Sequence, residues 1–469
     1  MFRNYFKIAY RNLVRHKGYA AINVFGLALG IACCLLIGLY VQHERSYDRF
    51  HTQADRIHRL VMEAGSFGTG ARAFAAAGPY FAEHFPEVEA AVRFYPQETV
   101  LRQGEALSTE SRFYYTDADV FDVFSYTLLA GDPASALKAP NSLVLTESAA
   151  RRYFGEENPV GQTLLQGDGT PFQVTGVAQD PPSNTHLPFD FLASFETLPQ
   201  TDVRGYQSQQ ASFIYLLLRL EADLDRLQER LDAFTAQDVE TVASILGVGF
   251  AEMRFRLQPL TDIHLHSHLR GEAEANSDAR LSKLFLAIAL FLLLIAVINY
   301  MNLATARALN RAREVSVRKV VGAGQGQLAV QFLGEAMLLC LLAFALALGL
   351  AELLLPVFNL VTGKVLPAAT LIRPRQWGWL TLVALGVGFV AGSYPALYLS
   401  RFRPVGIFKG DVRAGRGAQR IRQTLVAVQF TLSILLIIGT LVVRRQVHYL
   451  QSKDLGYDTE QILALPMQG

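Results

Sequence analysis

Five long apolar runs constrain the fold of this chain more than any other feature of its sequence. A helix of about 20 apolar residues crosses the roughly 30 Å hydrocarbon core of a bilayer, and each run is about that long or longer. The runs are Tyr19–Val41, Leu284–Ala304, Leu328–Phe358, Leu380–Leu399 and Thr424–Val443. They predict five membrane helices separated by polar segments of very different lengths.

A polar block, residues 42–283, separates the first two runs and is long enough to form a domain of its own. Its strand-like segments, such as Ser142–Thr146 and Phe172–Val177, alternate with helical patterns. One apolar stripe at helical spacing consists of Leu220, Leu224, Leu227, Leu231 and Phe234. We therefore expect a multi-pass α-helical membrane protein with a large α+β extracytoplasmic domain inserted between the first and second membrane helices.

The basic residues predict which side of the membrane each segment faces. Residues 305–327 carry five basic side chains and one acid, and residues 400–423 carry seven and one. Short basic links stay in the cytoplasm, so both links are expected there, with residues 42–283 and 359–379 on the outer side. Residues 1–18 have a basic side chain at every fourth position from Arg3 to Arg15. They are expected to form an amphipathic helix on the cytoplasmic leaflet.

The last segment, residues 444–469, repeats the plan of the first. A basic approach and an apolar run are followed by Tyr457 and Asp458, as the first run is followed by Tyr47 and Asp48. We expect it to be the start of a truncated second extracytoplasmic region.

The link of residues 305–327 is the main candidate for a functional site. Arg307, Arg311, Glu314 and Arg318 fall on one face of a helix, and Gly322 begins a glycine-rich break before the next run. A short charged helix between two membrane helices suits docking to a cytoplasmic partner. The alternative is a solvated loop whose arginines only set the topology.

The residues Arg313–Ala323, REVSVRKVVGA, followed by QFLGEAML at 331–338, resemble the coupling segment of MacB/FtsX-type ABC transporter permeases. The polar block is similar to the MacB-like periplasmic core of the large bacterial permeases in that family. The similar segments are Tyr47–His51 with Asp55–Ile57, Phe121–Ser125 with residues 140–164, and Val174–Val177 with Pro182–Leu187.

This resemblance implies a permease subunit that couples ATP hydrolysis by a separate cytoplasmic ATPase to movement of the extracytoplasmic domain, for efflux or mechanotransmission. It implies a multi-pass location in the bacterial inner membrane, with the large domain in the periplasm. The expected partners are a P-loop ABC ATPase, a second permease half in a dimer or pseudo-dimer, membrane lipids and a periplasmic or outer-membrane protein, but no nucleic acid. The alternative function is a membrane sensor with an extracytoplasmic ligand domain.

The sequence contains no G-x-x-x-x-G-K-[ST] motif, so we expect no enzyme activity and no cofactor in this chain, with ATP and Mg bound by the partner ATPase. The ATPase-coupling residues implied by the resemblance are Arg311, Arg313, Glu314, Val315, Arg318, Lys319, Val320 and Gly322.

Two further groups of polar residues are candidates for other roles. Asn299, Asn302 and Glu335 lie within the apolar runs, where we expect them to form structural hydrogen bonds. His264, His266 and His268 alternate, which would place them on one face of a strand, as a zinc site requires. The other interpretation is a strand end close to the membrane, and we predict neither a metal site nor a catalytic set.

Overall fold

The chain divides into two compact units, with boundaries after Tyr40 and after Ser282. Both boundaries lie near the polar ends of long apolar helices. The computed structural model describes residues 11, 15, 17–64, 68–103, 106–199, 211–237, 253–306, 315–367, 374–400 and 416–453. One unit, the helical unit, comprises Met1–Tyr40 and Lys283–Gly469, and the other, the sheet unit, comprises Val41–Ser282. Most of the predicted amphipathic helix at 1–18 and the segment 454–469 lie outside the described residues.

The helices and strands are numbered in chain order. The helices are α1 Lys17–Arg45, α2 Ala77–His84, α3 Val120–Val123, α4 Glu147–Phe154, α5 Leu224–Gln237, α6 Ile263–His266, α7 Ala279–Ala306, α8 Gln325–Thr362, α9 Pro374–Ser400 and α10 Arg416–Ser452. The strands are β1 Ile57–Ala64, β2 Thr69–Gly70, β3 Ala73–Phe74, β4 Val88–Pro96, β5 Thr99–Gln103, β6 Ala106–Glu110, β7 Phe113–Thr116, β8 Leu128–Ala130, β9 Ser142–Thr146, β10 Thr163–Gln166, β11 Pro171–Ala178, β12 Phe191–Ser194, β13 Ala211–Leu218 and β14 Met253–Pro259.

Five helices among the described residues are long and apolar enough to cross a membrane: α1, α7, α8, and the parts Leu380–Ser400 of α9 and Gln419–Ser452 of α10. Each contains one of the predicted apolar runs. The helices extend past the runs because polar residues at either end continue the backbone hydrogen bonding. The predicted multi-pass helical architecture, with a large domain between the first and second membrane helices, is confirmed.

Glycine allows the membrane helices to approach closely at two places. A Cβ on Gly392 of α9 would lie 2.5 Å from Cβ of Ala336 in α8. A Cβ on Gly30 of α1 would lie 2.7 Å from Cβ of Ala296 in α7. Neither distance is possible for a real side chain, so these helices pack through small residues, as is common in membranes.

Fourteen strands of the described residues form the sheet, in the order β14-β1-β13-β4-β7-β12-β9-β11-β10-β5-β6, with β2 beside β1, β3 beside β13 and β8 beside β11. Two pairs, β9 with β11 and β7 with β12, are parallel, and the other pairs are antiparallel. Helices are interleaved with the strands, so the predicted α+β class is confirmed.

Two details of the sheet unit differ from expectation. Leu220 was expected in the stripe of a helix, but α5 begins at Leu224 and the Leu220 side chain is 86% exposed. Residues 263–266, expected as a strand end, form α6 directly after a 3-10 turn. An alternation over three positions is too short to distinguish a strand from one helical turn.

Candidate functional site

The described parts of the candidate link are residues 305–306, which end α7, and residues 315–327. Residues 315–320 are helical, and the chain then turns at Gly322, which has a φ of 101°. Gly322 therefore ends the helical segment in a conformation that favours glycine. Arg307, Arg311, Arg313 and Glu314 lie outside the described residues, and the expected helix face on which Arg307, Arg311 and Glu314 fall stays a prediction.

One face of this helical segment packs inward. Val315 is buried in a small apolar cluster with Leu328 and Phe332 of α8 and with Ala396 and Leu399 of α9. Burial of a valine side chain contributes on the order of 1.5 kcal/mol, so the cluster holds the segment against both helices.

Two cations on the same inward side fasten the segment by hydrogen bonds. Arg318 Nη1 donates to Gln331 Oε1 of α8 over 2.7 Å, and Gln331 Nε2 donates to Glu335 Oε1 over 3.3 Å. Lys319 Nζ donates to the carbonyl of Ser400, the last residue of α9, over 2.6 Å. A cation at a helix C-terminus satisfies a free carbonyl and complements the helix dipole.

The opposite face of the segment is exposed and apolar. Val317, Val320 and Val321 are 57%, 71% and 82% exposed. Their spacing of three and four residues places them on one side of a helix. Contiguous exposed apolar side chains of this kind mark contact surfaces, and we call these three residues the valine face.

The structure therefore separates residues that the sequence placed in one set. Val315, Arg318 and Lys319 contact α8 and α9, whereas Val320 belongs to the valine face. Neither Val317 nor Val321 was among the coupling residues that the resemblance implied. Their helical spacing with Val320 was the signal that could have identified them.

The intramembrane polar residues have separate neighbours. Glu335 accepts from Gln331, as described above. Asn302 Nδ2 donates to Gln429 Oε1 of α10 over 3.5 Å. The Asn299 amide nitrogen lies 3.6 Å from where a Cβ on Gly26 would stand, at the crossing of α7 and α1. Glu335 and Asn302 thus make side-chain hydrogen bonds, and the structural role expected of all three residues stays a prediction.

The three alternating histidines do not form a cluster on a strand. His264 is buried, with Nε2 3.0 Å from Glu44 Oε2. His266 is exposed and lies 3.3 Å from Asp262. Within the part of the chain that the structure describes, no group of three or more histidine, cysteine, aspartate or glutamate side chains could hold a metal ion.

Two family models match successive parts of the chain. The MacB-like periplasmic core domain matches residues 20–234, and the FtsX-like permease C-terminal domain matches residues 286–404. The second match contains the whole candidate link.

Two curated relatives and one solved structure are each similar to part of this chain. The macrolide export ATP-binding/permease protein MacB of Vibrio parahaemolyticus is 24% identical over 294 residues, which cover 61% of this chain and 41% of that protein. The probable syringafactin export ATP-binding/permease protein SyfD of Pseudomonas syringae is 24% identical over 421 residues, or 86% of this chain and 58% of SyfD. The crystal structure of the periplasmic region of MacB from Actinobacillus actinomycetemcomitans matches at a TM-score of 0.33 and 18% identity, over 44% of this chain and 90% of that one.

This chain thus spans about two fifths of the Vibrio relative. The MacB-like match runs from the first membrane helix through most of the sheet unit, and the FtsX-like match contains nearly all of the next three membrane helices and the basic link. The chain therefore belongs to the MacB/FtsX-type family of ABC transporter permeases.

Proposed function

We propose that this protein is the permease subunit of an ABC complex in the bacterial inner membrane, with its sheet unit in the periplasm. A separate P-loop ATPase docks beneath residues 305–327 and supplies the ATP and Mg chemistry. The observation that carries this proposal is the valine face, an exposed apolar surface on a segment whose other side is fastened to the protein.

In this proposal the contacts of the segment 315–320 with its neighbouring helices determine which parts of the permease the ATPase moves. Val315 packs between α8 and α9, Arg318 bonds α8 and Lys319 bonds the end of α9. A displacement of the segment therefore displaces both helices with it, because close-packed apolar contacts do not stretch. Arg311, Arg313 and Glu314 supply the charged rim of the docking surface.

The motion reaches the sheet unit along the helices that belong to both units. Helix α1 continues from the helical unit to Arg45, past the boundary at Tyr40. Helix α7 begins at Ala279, before the boundary at Ser282. An unbroken helix transmits axial displacement, so ATP-driven movement is passed to the periplasmic domain. Efflux of a cargo, as in the names of the relatives, and mechanotransmission without a cargo both use this path.

The valine face is tested by the double variant Val320→Asp with Val321→Asp. Burying two carboxylates at a docked interface replaces favourable apolar burial by an unpaired charge, so ATPase binding should weaken at least about tenfold. The measurement is pull-down of the cognate ATPase with the reconstituted permease, together with ATP turnover of the complex.

A matched control is Val365→Asp, because Val365 is 73% exposed but lies in the segment 359–379, which is expected on the outer side of the membrane. It should bind the ATPase as the native protein does. Equal recruitment by the double variant and the control would reject the valine face as the docking surface. Recovery of a kinase or adaptor in place of a P-loop ATPase would favour the sensor.

A further inference from the structure

The polar residues at the junction of the sheet unit with α1 form a buried network that the coupling function leaves unexplained. We propose that Glu44, Tyr47 and His264, named here the stalk clamp, join the end of α1 rigidly to the segment that leads into α7. We propose further that Asp48, His186 and Tyr215, named here the anchor, fasten that joint to strand β13. The role in transmission rests on the proposed function, whereas the joint itself does not.

The stalk clamp brings together residues 220 positions apart in the sequence. Glu44 and His264 are both buried, with Glu44 Oε2 3.0 Å from His264 Nε2. The rings of Tyr47 and His264 stack in parallel, with centroids 3.3 Å apart and planes 2° apart. The carbonyl of His264 accepts from Ser277 N over 2.9 Å, which ties the clamp to the residues just before α7.

The anchor begins at Asp48, which lies three residues after the end of α1 and has a left-handed φ of 58°. Asp48 Oδ1 accepts from Thr185 Oγ1 and from the backbone N of His186, and Oδ2 lies 2.9 Å from His186 Nδ1. His186 Nε2 lies 2.6 Å from the hydroxyl of Tyr215, in the middle of β13. The chain of contacts therefore runs without a gap from the turn after α1 into the sheet.

Two further hydrogen bonds join the turn after α1, residues 46–51, to the 184–186 loop. Asn184 Nδ2 donates to the Ser46 carbonyl over 2.8 Å, and Asp48 N donates to the Asn184 carbonyl over 2.9 Å. Burial raises the pKa of Asp48, but the charge of His186 and its hydrogen bonds outweigh this, so the pKa is lowered overall. The anchor is thus held by an ionised carboxylate.

Burying such a network costs free energy of folding, so its presence indicates that it fixes a particular geometry. Removing charged groups from water costs several kcal/mol per ion, and buried apolar residues would stabilise the same fold more simply. Buried polar networks instead fix one arrangement of the elements that they join. Here they join α1, the segment before α7, and β13, which lies between β1 and β4 in the sheet. A displacement of α1 therefore moves the sheet with it and does not merely deform the turn at 46–51.

The joint is tested first without any ATPase, by hydrogen exchange of the full-length chain in lipid nanodiscs. The variants are Glu44→Gln, which keeps shape but removes the charge, His264→Phe, which keeps the stacked ring but removes the hydrogen bond, and the two combined. Residues 41–48 and 263–277 should exchange about tenfold faster in either single variant, and the double variant should add little, because the two groups act as a pair. His266→Phe, the same change at an exposed histidine two positions away, should exchange as the native protein does.

Exchange in Glu44→Gln and His264→Phe equal to that in the His266→Phe control would overturn the clamp. Loss of protection throughout the sheet in His264→Phe would mean that this variant is unfolded. The test would then rest on the isosteric Glu44→Gln variant, in which residues 41–48 and 263–277 must still exchange faster than in the His266→Phe control.

The transmission role is tested by adding the ATPase and ATP. The native protein should change the exchange of β13 on ATP binding, whereas His264→Phe should recruit the ATPase normally and show at most about a tenth of that change. A full ATP-dependent change in both clamp variants would refute transmission through the clamp. A native protein that recruits no ATPase would contradict the proposed function instead, and the first experiment would still decide the joint.

Discussion

At the scale of single residues, His51 should make the sheet unit sensitive to acid. Its ring is buried, and Nδ1 accepts from Ser125 N over 3.0 Å. Burial lowers the pKa of His51 to about 4, with Asp48 opposing the shift and His186 adding to it. Burial also lowers the pKa of His58.

Between pH 6.5 and 4 the unfolded chain therefore binds a proton at position 51 that the folded chain does not. Stability must fall as the pH falls through this range, and His51 alone accounts for at most about 3 kcal/mol. Urea unfolding at pH 7 and pH 4.5 should show the loss, and His51→Gln should reduce it, because the glutamine oxygen still accepts from Ser125. His84→Gln, at an exposed position, is the control. An equally steep pH dependence in His51→Gln would disprove the assignment.

At the scale of elements, the links between helices fix the topology. A cysteine at Leu220, which follows β13, should react with a membrane-impermeant thiol reagent in intact cells, and a cysteine at Val321 should react only after permeabilisation. This expectation follows from the excess of basic residues in 305–327, because short basic links between membrane helices stay in the cytoplasm. Both positions are more than four-fifths exposed, so accessibility alone cannot produce the difference.

Ser316, in the same link, is a poor site for this experiment because its side chain is buried on either topology. The native cysteines, Cys33, Cys34 and Cys340, lie in α1 and α8, and the chain without an added cysteine gives the background. Labelling of Val321→Cys but not Leu220→Cys in intact cells would invert the topology and remove the basis for cytoplasmic docking.

At the scale of the whole molecule, the sheet unit should fold without the helical unit. Three apolar clusters lie wholly within it, and the segment Val41–Ser282 contains no cysteine. A fragment of residues 41–282 should therefore melt cooperatively in reducing buffer, and circular dichroism with differential scanning calorimetry measures this. A gradual, non-cooperative transition would mean that the core depends on the membrane helices or on a partner.

The sequence by itself determined the five membrane helices, the α+β class of the inserted domain and the family. The length of an apolar run, its periodicity and the charges that flank it are local properties of the sequence. They can therefore be read without knowledge of how the elements pack. The segments Tyr47–His51 and Pro182–Leu187 were also recognisable as family features. Nothing in their composition indicated that Asp48 and His186 lie together.

Only the tertiary structure decided how residues far apart in sequence meet. Val315 and Val320 look equivalent in the link, and packing between α8 and α9 placed one inside and left the other exposed. Glu44 follows the first apolar run with nothing in the local sequence to indicate a partner, and His264 looked like part of an alternating strand. Their pairing depends on where the sheet positions α6, since a contact between distant residues is set by the packing of whole elements and leaves no periodic trace in either local sequence.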